Sequence, residues 1–299
     1  MTKKKYYFNI INLNLLILYI NIFGISFSFP FINLQSEQLN NGNFLMVHQY
    51  GIDICNEDLS QKIRTEIIFS EDEQISNSQQ MKDVIIKKFD DGYLVCLINK
   101  NIYIFNSAGQ FLNKKENINN GKTVDYYTIS IHDNYHFYIG YMAQSVLNIF
   151  YYEFNHDSNE IKIKAESGDL TNSEGWWLWT TEYTFQNNGF DCHIINDISK
   201  GEALACFFIT SNSNIYYWNI EFLYVNGNSI EQQTSYSSIR KEMSQNCPLF
   251  KVEVNSDKTK ALICGFNGYS DFCFYYYTSQ TDLELNYITP GGSSCSILY

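Results

Sequence analysis

The chain has 299 residues, with 45% hydrophobic and 17% charged side chains and a net charge of −12. This composition can bury a large core, so it excludes a chain that is disordered throughout. The negative charge repels a phosphate backbone and no basic stripe with interleaved aromatic residues is present, so we expect no nucleic-acid partner.

The first predicted element is an N-terminal leader. Lysines at positions 3–5 precede an apolar run, as in a secretory signal, and Ser26 and Ser28 are small residues suited to cleavage after Ser28. An uncleaved anchor is the alternative, since residues 10–29 are long enough to span a bilayer, and a buried core helix is the third. We expect residues 1–28 to be a signal peptide or signal anchor. The protein is then secreted or on the cell surface, and we expect a membrane contact only through this segment, where it stays uncleaved.

The next segment contains a repeat. Residues 40–61 align without a gap on residues 90–111, at an offset of 50, and Gly42 falls on Gly92. Asn-Asn-Gly and Asp-Asp-Gly are hairpin turn signals, because these residues tolerate positive φ angles. The aligned stretches are rich in the β-branched and aromatic residues that favour strands. We therefore predict two equivalent antiparallel units, the first opening with a strand at residues 33–39.

Similar units follow along the rest of the chain. Four strands each are predicted over residues 126–165, 190–233 and 248–288, and residues 293–299 resemble the first strand of another unit. The apolar strands YLVC (93–96), ALAC (203–206) and ALIC (261–264) recur, and we predict that they occupy the same place in their units.

Four-stranded units of this length resemble the blades of β-propellers in general, over residues 33–299. No specific WD40, kelch or sialidase signature accompanies the resemblance. It implies an all-β propeller of five blades plus the start of another. Either residues 293–299 close a five-bladed ring, or the ring is incomplete at the C-terminus. The chain stops abruptly in an apolar run, which slightly favours the incomplete ring. The alternative fold is a pair of tandem β-sandwiches.

Eight cysteines in a secreted chain suggest disulfides. A turn centred on Ser199 places Cys192 opposite Cys206, and a turn centred between residues 255 and 256 places Cys247 opposite Cys264. Both pairs then lie within disulfide reach, so we predict two bridges between first and second strands.

The remaining cysteines receive no predicted bridge. Cys96 would face Ile85 and is expected to be a buried thiol, while Cys55 and Cys273 lie on third strands without an assigned partner. Cys295 would lack its partner strand. The spacings lack the close cysteine pairs of structural zinc sites, so we predict neither metal nor cofactor.

No catalytic constellation emerges. His132 and His136 flank a predicted turn and are expected to be a surface pair. Cys192 and His193, adjacent on a strand, point to opposite faces and cannot cooperate. The aspartates lie mostly at turns, and none forms an obvious glycosidase pair.

The stretch EGWWLWTTEYTF contains Trp176, Trp177 and Trp179. Exposed tryptophans form platforms for sugar rings or protein partners, although an outer strand packed between blades explains them as well. We take them as the candidate binding residues. The predicted function is a non-catalytic secreted or surface binding module with a protein or glycan ligand. The alternatives are a secreted carbohydrate-active enzyme on the same scaffold and a type II membrane-anchored ectodomain with a scaffolding role.

Overall fold

A computed structural model of the chain describes residues 33–75, 84–143, 146–168, 184–197, 201–212, 215–232, 239–243, 249–266, 271–277 and 284–286. These ranges contain 21 strands, and no helix within them is long and apolar enough to cross a membrane. The predicted leader and the predicted strand at residues 293–299 lie outside the described residues.

The first two sheets repeat each other. Blade 1 comprises β1 (Asn33–Gln38), β2 (Phe44–His48), β3 (Gly51–Cys55) and β4 (Lys62–Ile68). Blade 2 comprises β5 (Val84–Lys88), β6 (Leu94–Ile98), β7 (Asn101–Phe105) and β8 (Phe111–Lys115). In both, each strand pairs antiparallel with the next along the chain, so the predicted repeat is confirmed.

The later units follow the same plan. Blade 3 comprises β9 (Tyr126–Ile131), β10 (His136–Ala143), β11 (Val146–Asn155) and β12 (Glu160–Glu166). Blade 4 comprises β13 (Thr184–Asp197), β14 (Gly201–Asn212), β15 (Ile215–Asn226) and β16 (Ser229–Gln232), and β17 (Ile239–Met243) pairs with β15 beside β16. Blade 5 comprises β18 (Leu249–Val254), β19 (Lys260–Phe266), β20 (Asp271–Tyr277) and β21 (Glu284–Asn286). Outer strands β12 and β16 meet at one parallel bridge.

The turn glycines explain why the first two units match. Gly42 has a φ of 88° and Gly92 a φ of 94°, which side chains of L-residues rarely allow. Each glycine donates its N–H to the residue that starts its turn, at 3.1 Å for Leu39 and 2.9 Å for Phe89. The same turn chemistry therefore fixes the same hairpin twice.

The blades are arranged radially. The first strand of each blade packs beside the first strand of the next, in the order β1, β5, β9, β13, β18. Two tandem sandwiches would not give one continuous series of inner strands. The arrangement is that of a β-propeller, and the predicted all-β fold is confirmed.

Four apolar clusters fill the spaces between successive blades. The cluster between blades 2 and 3, for example, contains Leu97, Ile104, Phe137 and Tyr152, all at most 1% exposed. The equivalent clusters lie between blades 1 and 2, 3 and 4, and 4 and 5. Second and third strands therefore bury both faces, as a lone four-stranded blade could not.

Side-chain oxygens occupy the free inner edges of two first strands. Gln35 Oε1 accepts a hydrogen bond from the N–H of Ile86 at 2.7 Å. In the same way, the hydroxyl of Thr128 accepts from Cys192 N–H, and that of Ser130 from Ile194 N–H, both at 3.2 Å. These bonds pair backbone donors of β5 and β13 with side chains of the preceding blade, and they therefore connect consecutive blades.

The strands with the sequences YLVC, ALAC and ALIC are all second strands, as predicted. They differ in which of their alternate residues face the preceding blade. In β14, Leu204 and Cys206 pack in the cluster facing blade 3. In β19, the alternate residues Ala261 and Ile263 pack in the cluster facing blade 4. Because side chains alternate along a strand, a one-residue difference reverses the faces. ALAC and ALIC are therefore equivalent in strand position but not in orientation.

Candidate interaction surface

The turns between first and second strands form one edge of the molecule, together with the β11–β12 turn; we call this edge the turn rim. Asn40 in blade 1 donates its side-chain N–H to the carbonyl of Asp91 in blade 2 at 3.4 Å. The N–H of Asp91 in turn bonds Asn134 Oδ1 in blade 3 at 3.1 Å. The turns of three blades are thus hydrogen-bonded in series.

The series continues through Glu202, at the start of β14. One of its oxygens lies 2.6 Å from His132 Nε2 in blade 3, and the other lies 2.5 Å from Lys258 Nζ in blade 5. Asn196 also donates its side-chain N–H to the carbonyl of Asp257 at 2.9 Å. A single carboxylate therefore connects blades 3, 4 and 5 on the turn rim.

Three rings lie together where blades 2 and 3 meet: Tyr93, Tyr135 and His156, here called the ring cluster. His156 stacks on Tyr93 with centroids 4.3 Å apart, and Tyr135 lies 5.0 Å from His156. His156 Nε2 donates to the carbonyl of Asn134 at 2.8 Å, because a carbonyl only accepts, and Nδ1 lies 3.5 Å from Asp91. Tyr135 is 54% exposed. The ring cluster thus presents an ordered aromatic surface to solvent.

Beside the ring cluster, His132 and His136 occupy the two ends of the β9–β10 turn, with ring centroids 6.2 Å apart. His132 Nδ1 lies 2.6 Å from the Tyr151 hydroxyl, and His136 stacks on the same tyrosine at 5.2 Å. Burial, with the charges of Asp133 and Glu202, raises the pKa of Tyr151, so its hydroxyl remains a donor. The predicted histidine pair is held by hydrogen bonds and ring contacts.

The turn carboxylate Asp133 remains ionised. Partial burial raises its pKa, but the N–H of Tyr135 and the ring of His136 outweigh that effect and lower it. The N–H of Tyr135 lies 2.7 Å from Asp133 Oδ1, and His136 Nδ1 lies 2.9 Å from the same oxygen. The carboxylate thereby fixes the turn that presents Tyr135.

Away from the turn rim, Glu73 lies in the β4–β5 loop and anchors that loop to blade 2. Its carboxylate accepts from Lys114, from the Tyr103 hydroxyl at 2.9 Å, from Asn101 at 3.1 Å and from Ser70 at 2.7 Å. Burial raises its pKa, but the bonds from Lys114, Ser70 and Tyr103 lower it to about 2. A carboxylate that stays charged and fully bonded holds the loop in place and is poorly suited to acid catalysis.

The structure joins Cys192 and Cys206 by a disulfide, with Cα atoms 4.2 Å apart, and the two residues are register partners about Ser199. Cys55 and Cys96 are buried thiols. The partner of Cys96 on β5 is Ile86, one residue from the predicted Ile85.

The predicted register of the β18–β19 hairpin is wrong. Cys264 pairs with Lys251 rather than facing position 247. The turn begins at Asn255, whose Oδ1 accepts from Lys260 N–H at 2.7 Å, and Lys258 adopts a φ of 60°. These contacts centre the turn two residues later than predicted. Cys247 itself lies outside the described residues, so its bond with Cys264 remains a prediction. The observed register no longer supports that bond.

The predicted binding residues Trp176, Trp177 and Trp179 also lie outside the described residues. Within the ranges that the structure covers, no group of three or more histidines, cysteines and carboxylates could hold a metal ion. The ring cluster was not predicted, because its members come from two blades and three turns. Only the fold brings them together, and no local sequence signal distinguishes them.

No protein-family model matches the chain, and no curated protein matches it. Solved structures do. The Dos1 propeller is 8% identical at a TM-score of 0.50, covering 86% of this chain and 61% of that one. Kluyveromyces lactis Hsv2 is 13% identical at a TM-score of 0.41, covering 85% and 62%. The WD40 domain of Neurospora crassa Pan2 is 9% identical at a TM-score of 0.48, covering 89% and 68%.

The chain spans about three fifths of the length of the Hsv2 and Dos1 structures. The Dos1 likeness agrees with the radial order of the blades. At these identities the similarity concerns the fold alone. The chain is a β-propeller, similar in architecture to the Dos1 propeller and without the sequence signature of a particular propeller family.

Proposed function

We propose that this protein is a non-catalytic protein-binding module and that the ring cluster on the turn rim is its contact surface. The observation that carries the proposal is the exposed side chain of Tyr135 beside the stacked rings of His156 and Tyr93. Tyrosine supplies large contact area at low entropic cost and is enriched in interface hot spots.

Preorganisation supports the same surface. The turns that carry the ring cluster are cross-linked between blades by Asn40, Asp91 and Asn134. These turns therefore need little further ordering when a partner binds, which lowers the entropic cost of association. Such a rigid edge suits recognition of another folded protein or of an extended segment.

The charge of the turn rim indicates the kind of partner. Four exposed carboxylates accompany the ring cluster: Asp91 lies beside His156, Asp133 accepts from the Tyr135 N–H, and Asp90 and Asp157 are the chain neighbours of Asp91 and His156. Aromatic faces beside carboxylates favour arginine and lysine side chains, through cation–π contacts and ion pairs. The proposed partner presents basic side chains to this edge.

Site-specific photocrosslinking tests this proposal. A photoreactive phenylalanine derivative is placed at Tyr135, or at Tyr50, which is 40% exposed in the β2–β3 turn on the opposite edge. In extracts of the source cells, position 135 should yield a discrete protein adduct, and excess unmodified protein should compete with it. A Tyr93→Ala/Tyr135→Ala competitor should not compete. Identical adducts from positions 135 and 50 contradict the proposal.

We further propose that the module acts outside the cell, delivered by residues 1–28. The disulfide between Cys192 and Cys206 supports an oxidising compartment. N-terminal sequencing of the mature protein is the test. A start at Phe29 indicates a cleaved signal, and an intact N-terminus in the membrane fraction indicates the anchored form. An intact protein in the cytosol contradicts secretion.

A further inference from the structure

The second and third strands of blade 5 bring two cysteines to the same rung. In the β19–β20 ladder, Cys264 is the direct partner of Cys273. The rungs on either side, Ile263 with Phe274 and Gly265 with Phe272, continue the same register without a bulge. Directly opposed residues in an antiparallel pair have Cα atoms about 4.5 or 5.5 Å apart, and both values lie within disulfide reach.

The same molecule shows which cysteines can bond. Cys192 and Cys206 are opposed on neighbouring strands, and they are bonded. Cys55 faces Phe44 on one side and Lys62 on the other, and it remains a thiol. Cys96, between Ile86 and Tyr103, is likewise a thiol. The bonded pair therefore differs from the two thiols in one respect: each of its cysteines has another cysteine directly opposite on the neighbouring strand.

We propose that Cys264 and Cys273 form a second cross-strand disulfide, which joins the second and third strands of blade 5. The two thiols lose two protons and two electrons, and a dithiol–disulfide oxidant such as oxidised glutathione takes the electrons and becomes two thiols. The bond replaces the pairing of Cys264 with Cys247, because Lys251 occupies the position opposite Cys264 on β18.

The two disulfides then brace different strand pairs. The Cys192–Cys206 bond joins the first and second strands of blade 4, whereas the second bond joins the second and third strands of blade 5. The second strands β14 and β19 also differ in which alternate residues face the preceding blade. The bond closes only the stretch 264–273, so its loss should lower Tm by on the order of 5 °C.

Peptide mapping without reduction tests the proposal. The purified full chain is equilibrated with oxidised glutathione, unfolded, alkylated with iodoacetamide and digested with chymotrypsin, which can cut between the two cysteines at Phe266, Tyr269 and Phe272. The expected result is a linked pair of peptides containing Cys264 and Cys273. An alkylated Cys264, or Cys264 linked to another cysteine, overturns the proposal.

Two single variants make the result independent of the digest. In Cys264→Ser, Cys273 should become alkylatable while the state of Cys247 stays unchanged, and Cys273→Ser should expose Cys264. If Cys264→Ser instead frees Cys247, the bond first predicted from the sequence is the real one and the proposal is wrong. Cys96→Ser is the matched control, because Cys96 has no opposed cysteine and its loss should free no other thiol.

Discussion

Replacing Glu73 by Gln should destabilise the fold in a pH-dependent way. The Glu73 carboxylate accepts hydrogen bonds from Lys114, Tyr103 and Asn101, and its side chain is only 15% exposed. Gln keeps the size of the side chain but removes the charge. Lys114 then loses its most buried partner and keeps the exposed Glu116 and the face of the Tyr103 ring. The β4–β5 loop should be held less firmly on blade 2.

The magnitude follows from the pKa. A fall of the Glu73 pKa from 4.5 in the unfolded chain to about 2 in the fold corresponds to about 3 kcal/mol of stability. Because the folded pKa is the lower one, this contribution is complete well above pH 4.5. It decreases as the pH falls towards 2. At pH 3.5, where the unfolded carboxyl is mostly protonated, about 1.4 kcal/mol should be lost.

Urea denaturation followed by tryptophan fluorescence at pH 7 and pH 3.5 measures these values. The unfolding free energy of the wild type should exceed that of Glu73→Gln by about 3 kcal/mol at pH 7. This difference should shrink by about 1.4 kcal/mol at pH 3.5. The control is Glu71→Gln, an exposed carboxylate in the same loop, which should change little. A difference between wild type and Glu73→Gln that stays constant with pH refutes the role of the charge.

Two further predictions concern the repeat and the disulfide. Gly42→Ala and Gly92→Ala should each cost about 1–2 kcal/mol, because both positions have positive φ. Gly92→Ala should cost somewhat more, because its Cβ would lie 2.0 Å from Asn40 Nδ2 and would push that exposed side chain off the Asp91 carbonyl, whereas nothing lies closer than 3.7 Å at Gly42; equal losses in urea titrations contradict this. A Cys192→Ala/Cys206→Ala double variant should lose about 3 kcal/mol of unfolding free energy, and an unchanged denaturation midpoint would show that the bond adds no stability.

The order of the strands could be predicted because it depends on local signals. Alternating apolar residues and the turns at Gly42 and Gly92 act within a few positions of the chain, so the 50-residue offset revealed two equivalent units. The same reasoning placed Cys206 opposite Cys192, because a short symmetric turn fixes the register on both sides.

The β18–β19 hairpin shows how strongly a register depends on the exact centre of its turn. The turn occupies residues 255–260, where the side chain of Asn255 and the positive φ of Lys258 hold it, and its centre lies two residues after the predicted one. The direction in which Ala261 and Ile263 point then depends on what they pack against in blade 4. Period-two alternation divides the residues of a strand between two faces, but it does not say which face meets which neighbour.

By itself, the sequence determined that this protein consists of repeated antiparallel sheets, because strand propensity and turn chemistry are properties of neighbouring residues. Only the tertiary structure decided which residues meet across blades. His132 reaches Glu202 across 70 positions of chain, and Tyr93 stacks on His156 from another blade. Such contacts depend on how the sheets pack around the axis, and no local pattern in the chain encodes that packing.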